Sequence, residues 1–225
     1  MAGASTIPND MVLWLDGTQG ITPDGTGLKC ASWTSLVGGH VLSQPTAGLQ
    51  PTLTTMNGLQ CIQTDGVDDY LSNTTLNLPQ PCTWFLVMKP NAIPSGGINA
   101  YLLDGKPGSP TGRQIMMFLG GPPLRYTFSA TVQMTVASPT PDTNRHLLTG
   151  IYNGGSSVGY LDGIQVASGT CGSETQDGLT IGLRGQSGGS PFSGIFGEII
   201  AYSRQMSTSE LNAVHGYLKN KWQIT

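Results

Sequence analysis

Short apolar or alternating runs, each closed by Gly, Pro, Asn or Asp, set the terms on which this chain can fold. They are MVLWL (11–15), CTWFLVMK (82–89), RQIMMFL (113–119), LRYTF (124–128) and RHLLTGIY (145–152). Runs of this length between turn residues read as β-strands. GYLDGIQVA (159–167) adds a hairpin. Its Asp162-Gly163 pair suits a two-residue turn, which requires positive φ. SGIFGEIIAY (193–202) is the longest late strand, and Gly197 within it marks a bulge or a close backbone approach. The 32 glycines and 15 prolines in 225 residues are frequent, but fewer than a disordered composition would carry. The expectation is an all-β chain, one domain over residues 1–225.

One helix interrupts this pattern, expected over about 208–221. Ser207 and Glu210 make an S-x-x-E capping box, with Met206 and Leu211 at staple positions. Leu211, Val214, Leu218 and Trp222 follow on one face at helical spacing. The segments 104–112 (DGKPGSPTG) and 184–194 (RGQSGGSPFSG) read as long polar loops, where function often sits.

Charge narrows the partners. Ten basic and 13 acidic residues leave a net charge of −3, with no Lys/Arg run. Phosphate backbones need clustered cations, so nucleic acid is not an expected partner. No apolar run reaches the roughly 20 residues of a membrane span. The start, MAGASTIPNDMVLW, shows neither the basic region nor the apolar stretch of a signal peptide. Cys30, Cys61, Cys82 and Cys171 have no close spacing and are expected to be free, buried thiols.

Catalytic patterns are thin. Strand-borne acids for glycoside cleavage should recur at alternate positions. Yet none of Glu174, Glu198 and Glu210 has an acidic residue two or four positions away. GSSVG around Ser157 and GQSGG around Ser187 match G-x-S-x-G without the strand–turn–helix context that gives the motif meaning. His40, His146 and His215 form no metal-binding pair, and His215 reads as a packing residue beside the helix stripe. No enzyme activity is expected.

TDGVDDYLS (64–72) gathers Asp65, Asp68 and Asp69. As an EF-hand loop starting at Asp65 it would put Tyr70 where Gly belongs and Leu76 where Glu belongs. A structural turn is the favoured reading, with no cofactor; a loop calcium site on the three aspartates is the functional alternative. Among aromatics, Trp14, Trp33, Trp84 and Trp222 read as core, leaving Tyr101, Tyr126 and Tyr160 as candidates for a partly exposed binding face.

LWLDGTQGI, ASWTSLVGGHVLSQ, NGLQCIQTDGVDDYL and CTWFLVMKP, then GYLDGIQVASG, LTIGLRG and FSGIFGEIIAYSRQMSTSELNAVHGYLKNKW, together resemble laminin-G-like, concanavalin A-like domains. The last segment carries most of the likeness, through Gly194, Glu198, Tyr202, Arg204, Glu210, Tyr217, Leu218, Lys221 and Trp222. WTSLVGGH lacks an Asp that the family often has, and the E-x-D-x-x-E pattern of its glucanase relatives is absent. The resemblance implies a two-sheet antiparallel jelly-roll sandwich with a C-terminal helix, and roles in glycan binding, adhesion and protein contact. A domain of this kind without a signal peptide suggests a bacteriophage virion protein, made in the host cytoplasm and placed on the virion surface. Capsid decoration, fibre or tail roles would fit, with virion or cell-surface proteins, glycans or further copies of the chain as partners. The alternative is an extracellular carbohydrate-binding module of a larger enzyme; a glycoside hydrolase ranks below both.

Overall fold

Cys82–Pro90 is apolar on both faces because both faces are covered. Trp84, Leu86 and Met88 enter the main core, while Phe85 and Val87 join a second apolar layer beneath a helix. The same division organises the whole molecule. The computed structural model describes residues 7–94, 96–120, 125–136 and 140–225. Residues 1–6 of the N-terminal segment and Leu124 of the expected strand 124–128 lie outside them.

In chain order the strands are β1 Leu13–Asp16, β2 Ile21–Pro23, β3 Cys30–Thr34, β4 Val41–Ser43, β5 Thr52–Met56, β6 Leu59–Asp65, β7 Leu71–Leu78, β8 Cys82–Pro90, β9 Ala100–Asp104, β10 Ile115–Leu119, β11 Arg125–Ser129, β12 Gln133–Thr135, β13 His146–Tyr152, β14 Ser157–Leu161, β15 Ile164–Gly169, β16 Gln176–Ile181 and β17 Ser193–Tyr202, followed by helix α1 Thr208–Trp222. An eight-stranded antiparallel sheet runs β15-β14-β13-β8-β17-β6-β5, with β1 also paired to β17. A nine-stranded antiparallel sheet runs β12-β11-β10-β9-β16-β7-β4-β3-β2. The two face each other across the main core, giving the expected all-β sandwich.

Gly197 makes the bulge expected of it. Pairing with β8 shifts from Phe196↔Met88 to Glu198↔Val87. One extra residue reverses the alternation, so Ile195, Glu198 and Ile200 share the helix side while Phe196 and Ile199 face the core. A Cβ at Gly197 would lie 2.8 Å from Met56 Cε and 3.2 Å from Trp222 Cε3. The bulge therefore turns Glu198 away from the main core and lets the helix pack close.

The helix spans Thr208–Trp222, with the Ser207–Glu210 capping box formed. Leu211, Val214, Leu218 and Trp222 are buried on the outer face of the eight-stranded sheet, with Met206 beside them. Glu198 is fully buried and accepts from Trp14 Nε1 (2.7 Å), Tyr217 Oη (3.0 Å) and Trp222 Nε1 (2.8 Å). Lys221 Nζ lies 2.7 Å from both Glu198 and buried Asp16. Trp14, expected in the core, instead stands half-buried on the helix side, because Leu13 and Leu15 take the inward positions of β1. Trp33, Trp84 and Trp222 are buried as expected.

Asp162 (φ 54°) and Gly163 (φ 85°) turn the expected hairpin between β14 and β15. All four cysteines are free and buried, and burial pushes the thiols of Cys30, Cys61 and Cys82 up to about 12. The strand expected over 113–119 starts at Ile115. Arg113 and Gln114 are drawn out of the ladder by side-chain partners. Gln114 Oε1 accepts from Trp84 Nε1 (2.8 Å), and Arg113 binds Asp104.

Candidate ligand-binding cleft

The helix covers the outer face of one sheet. On the outer face of the other, side chains from β9, β10, β11 and β12 line up in cross-strand rows. Tyr101 opposes Met117, which opposes Thr127; Ile115 opposes Ser129, which opposes Gln133. Tyr101, Ile115 and Met117 form an apolar cluster separate from the main core. They floor a cleft of about 330 Å³ whose walls include Pro110, Arg113, Glu174 and Arg184.

A second cleft, of about 360 Å³, adjoins it near the ends of β7 and β16. Tyr70, Leu49, Leu183 and Pro107 give it an apolar lining, and Asp68 and Gln186 add polar atoms. Arg184 lines both clefts. The two loops marked in the sequence, 104–112 and 184–194, supply walls to each.

Asp104 organises these loops. It is fully buried and accepts from Arg113 Nε (2.6 Å), Arg113 Nη2 (2.5 Å), Gly105 N–H (2.8 Å) and Gly185 N–H (2.9 Å). A buried carboxylate needs this many donors to offset its lost hydration. Gln186 Oε1 then accepts from Arg184 Nη2 (2.6 Å) and Arg113 Nη1 (3.3 Å). Both guanidinium carbons lie over the Tyr101 ring, 5.8 Å (Arg113) and 5.6 Å (Arg184) from its centroid, within cation–π range. The surface is thus a guanidinium pair resting on a tyrosine.

The sequence candidates divide. Tyr101 lies in the cleft but is only 6% exposed, its ring overlain by the two arginines. Tyr126 is 1% exposed and packs between Phe118 and His146, so its place on a binding face is corrected to the core. It shares the inward side of β11 with Phe128. Tyr160 is half-buried against His215 beneath the helix, far from being an open platform. Tyr70, Arg113, Arg184 and Asp104 carry the cleft and were not singled out by spacing; Tyr70 follows the acidic turn directly.

Asp65, Asp68 and Asp69 do come together, with one oxygen from each within 4.8 Å of the others. Their bonds are those of a turn. Asp65 Oδ1 accepts from the N–H groups of Val67 (2.8 Å) and Asp68 (3.3 Å), and Asp69 Oδ2 accepts from Asp65 N–H (3.1 Å). Burial, then the neighbouring Asp65 charge, push the Asp69 carboxyl up to about 6. Ser157 is buried and spends its hydroxyl on Gly154 O (2.9 Å), while Ser187 is exposed on the cleft loop. Buried His215 is held down to about 4 by burial, then by Lys219, and contacts Thr149 Oγ1 at 3.0 Å.

His146 behaves differently. Its Nδ1 is 2.8 Å from Asp162 and its Nε2 3.0 Å from Asp142. Burial opposes the charged form, but bonds and charges from Asp162 and Asp142 outweigh it and raise the pKa. A raised histidine pKa stabilises the fold fully below the unfolded value and ceases to do so as pH rises through the folded one. The melting temperature is expected to fall on the alkaline side of that transition, and His146→Gln to flatten this dependence. Thermal melts across about pH 5–9 check it.

No family model and no curated protein matches the sequence. Solved structures do match. Trypanosoma rangeli sialidase in complex with 2,3-difluorosialic acid superposes at TM-score 0.67 and 12% identity, covering 94% of this chain and 34% of that one. The likeness is one of fold. This chain spans about a third of the sialidase chains it matches. The binding domain of Paraclostridial Mosquitocidal Protein 1 gives TM-score 0.63 at 11% identity, covering 94% of this chain and 53% of that one. Domain 4 of AbnA, a GH43 extracellular arabinanase from Geobacillus stearothermophilus in complex with arabinotriose, gives 0.52 at 13%, covering 92% and 98%.

Proposed function

We propose that the chain is a non-catalytic, laminin-G-like carbohydrate-binding module, and that its ligand lies in the paired clefts joined at Arg184. The observation that carries this is the built character of the site. Two loops are pinned to one buried carboxylate, and they hold an apolar floor and a few fixed polar groups in a concave surface. Proteins hold small ligands this way. The arabinanase domain lends support, being matched over nearly its whole length and solved in complex with arabinotriose.

The narrower proposal places the module on a virion or cell surface, where it serves adhesion. Its support is the resemblance to laminin-G-like domains, whose roles include adhesion.

An oligosaccharide array tests the binding reading. Ligands retained by the intact chain are expected to lose about tenfold or more in affinity with Tyr70→Ala, since an aromatic contact in a binding pocket is worth roughly 1.5 kcal/mol or more. No oligosaccharide bound, or binding indifferent to Tyr70, would overturn it. Repeating the array with EDTA and with Asp65→Asn decides the acidic turn. Binding lost in both would make it a calcium site, and binding kept in both leaves it a turn. Release of reducing ends from a retained ligand would replace the module by an enzyme.

A further inference from the structure

Building on the glycan-binding reading, we infer that the ligand bears a carboxylate, as a uronic or other acidic sugar does, and that Arg184 receives it.

The two arginines over Tyr101 carry the same charge but differ in its compensation. Arg113 gives Nε and Nη2 to Asp104 and is neutralised by it. Among the described residues Arg184 has no carboxylate within 4.0 Å. Among the described residues, Nη2 alone of its guanidinium donors has an acceptor, Gln186 Oε1, and its buried Nε has no partner. Burial leaves the Nε with a desolvation cost, and the guanidinium of a residue lining both clefts is left without a counter-charge among the described residues. The guanidinium fork matches the two oxygens of a carboxylate.

The neighbouring charges set where that anion can sit. Glu174 lies on the wall of one cleft and Asp68 on the wall of the other, and each repels a carboxylate brought beside it. The shared wall at Arg184 is the position between them. The group is also held in advance. Arg184 N–H donates to Gly189 O (2.9 Å), Arg184 O accepts from Gly188 N–H (2.9 Å), and the next residue is tied to Asp104. Little loop ordering is left to be done on binding.

The test pairs acidic oligosaccharides with neutral counterparts: tetragalacturonic acid with its methyl ester, and 3′-sialyllactose with lactose. Calorimetry on the intact chain should show at least one acid bound about tenfold or more tighter than its neutral partner. Arg184→Gln should erase that preference by weakening the acid about tenfold or more beyond any loss for its neutral partner, while Arg184→Lys should keep part of it. Equal binding of acid and neutral forms, or a preference that survives Arg184→Gln, overturns the acidic-ligand inference and leaves glycan binding standing. Failure of these four probes together with an empty array overturns both. Failure of the four while neutral glycans are retained on the array overturns the inference alone.

Discussion

Lys221→Met is expected to cost about 3–5 kcal/mol of stability, the usual loss when one partner of a buried ion pair is removed. In a domain of this size that lowers the melting temperature by roughly 6–20 °C. The ammonium bridges two carboxylates that have almost no exposure, Asp16 and Glu198. Asp16 retains other donors without it, in Thr18 N–H and Oγ1. Glu198 retains Trp14, Tyr217 and Trp222, but the two negative charges then face each other in a dry site. Burial foremost already holds the Glu198 carboxyl above its ordinary range with Lys221 present. Without the ammonium it should hold its proton more tightly, so acid should relieve part of the deficit. Urea unfolding of both proteins at about pH 5 and pH 8 reads this, with a smaller gap expected at the lower pH. A gap below about 1 kcal/mol at both would mean that water reaches the site.

That network explains what could be read from the chain and what could not. The late motif put Glu198, Tyr217, Lys221 and Trp222 in a recognisable order, and Gly197 announced a bulge. Only in three dimensions does the bulge turn Glu198 toward the helix, where three hydrogen-bond donors and a cation converge on it. The strands were legible because alternation is local. The helix was legible because its cap, staple and apolar stripe lie within seventeen residues, Met206–Trp222. Tyr126 was misplaced although a signal existed, since it shares parity with Phe128 and apolar neighbours pull that face inward. The cleft was hidden for another reason. Asp104, Arg113 and Arg184 come from three separated positions, and no spacing rule connects a strand's last residue to a loop eighty positions later. Composition did mark the two loops, because their glycines and prolines cannot continue a ladder.

Asp104→Asn is expected to remove ligand binding and stability together. The carboxylate is the sole acid on the Arg113 guanidinium among the described residues and also holds Gly105 and Gly185, so its neutral replacement strands a buried guanidinium. A loss of about 3–5 kcal/mol follows from the same reasoning as for Lys221. Stability and function can be separated by a second change. In the double variant Asp104→Leu, Arg113→Met the buried pair becomes apolar, a replacement that is often neutral or stabilising. Part of the lost melting temperature should return, the orphaned N–H groups of Gly105 and Gly185 holding back the rest. Binding should not, because Gly185 N–H still lacks its acceptor and the loop carrying Arg184 is no longer pinned, so ordering it must be paid on association. Melts and calorimetry on the single and double variants measure the two effects separately. If the double variant regains both, Asp104 matters only for the fold, and the clefts do not depend on the pinned loop. If it regains stability alone, the buried Asp104–Arg113 pair is what holds the site in its binding shape.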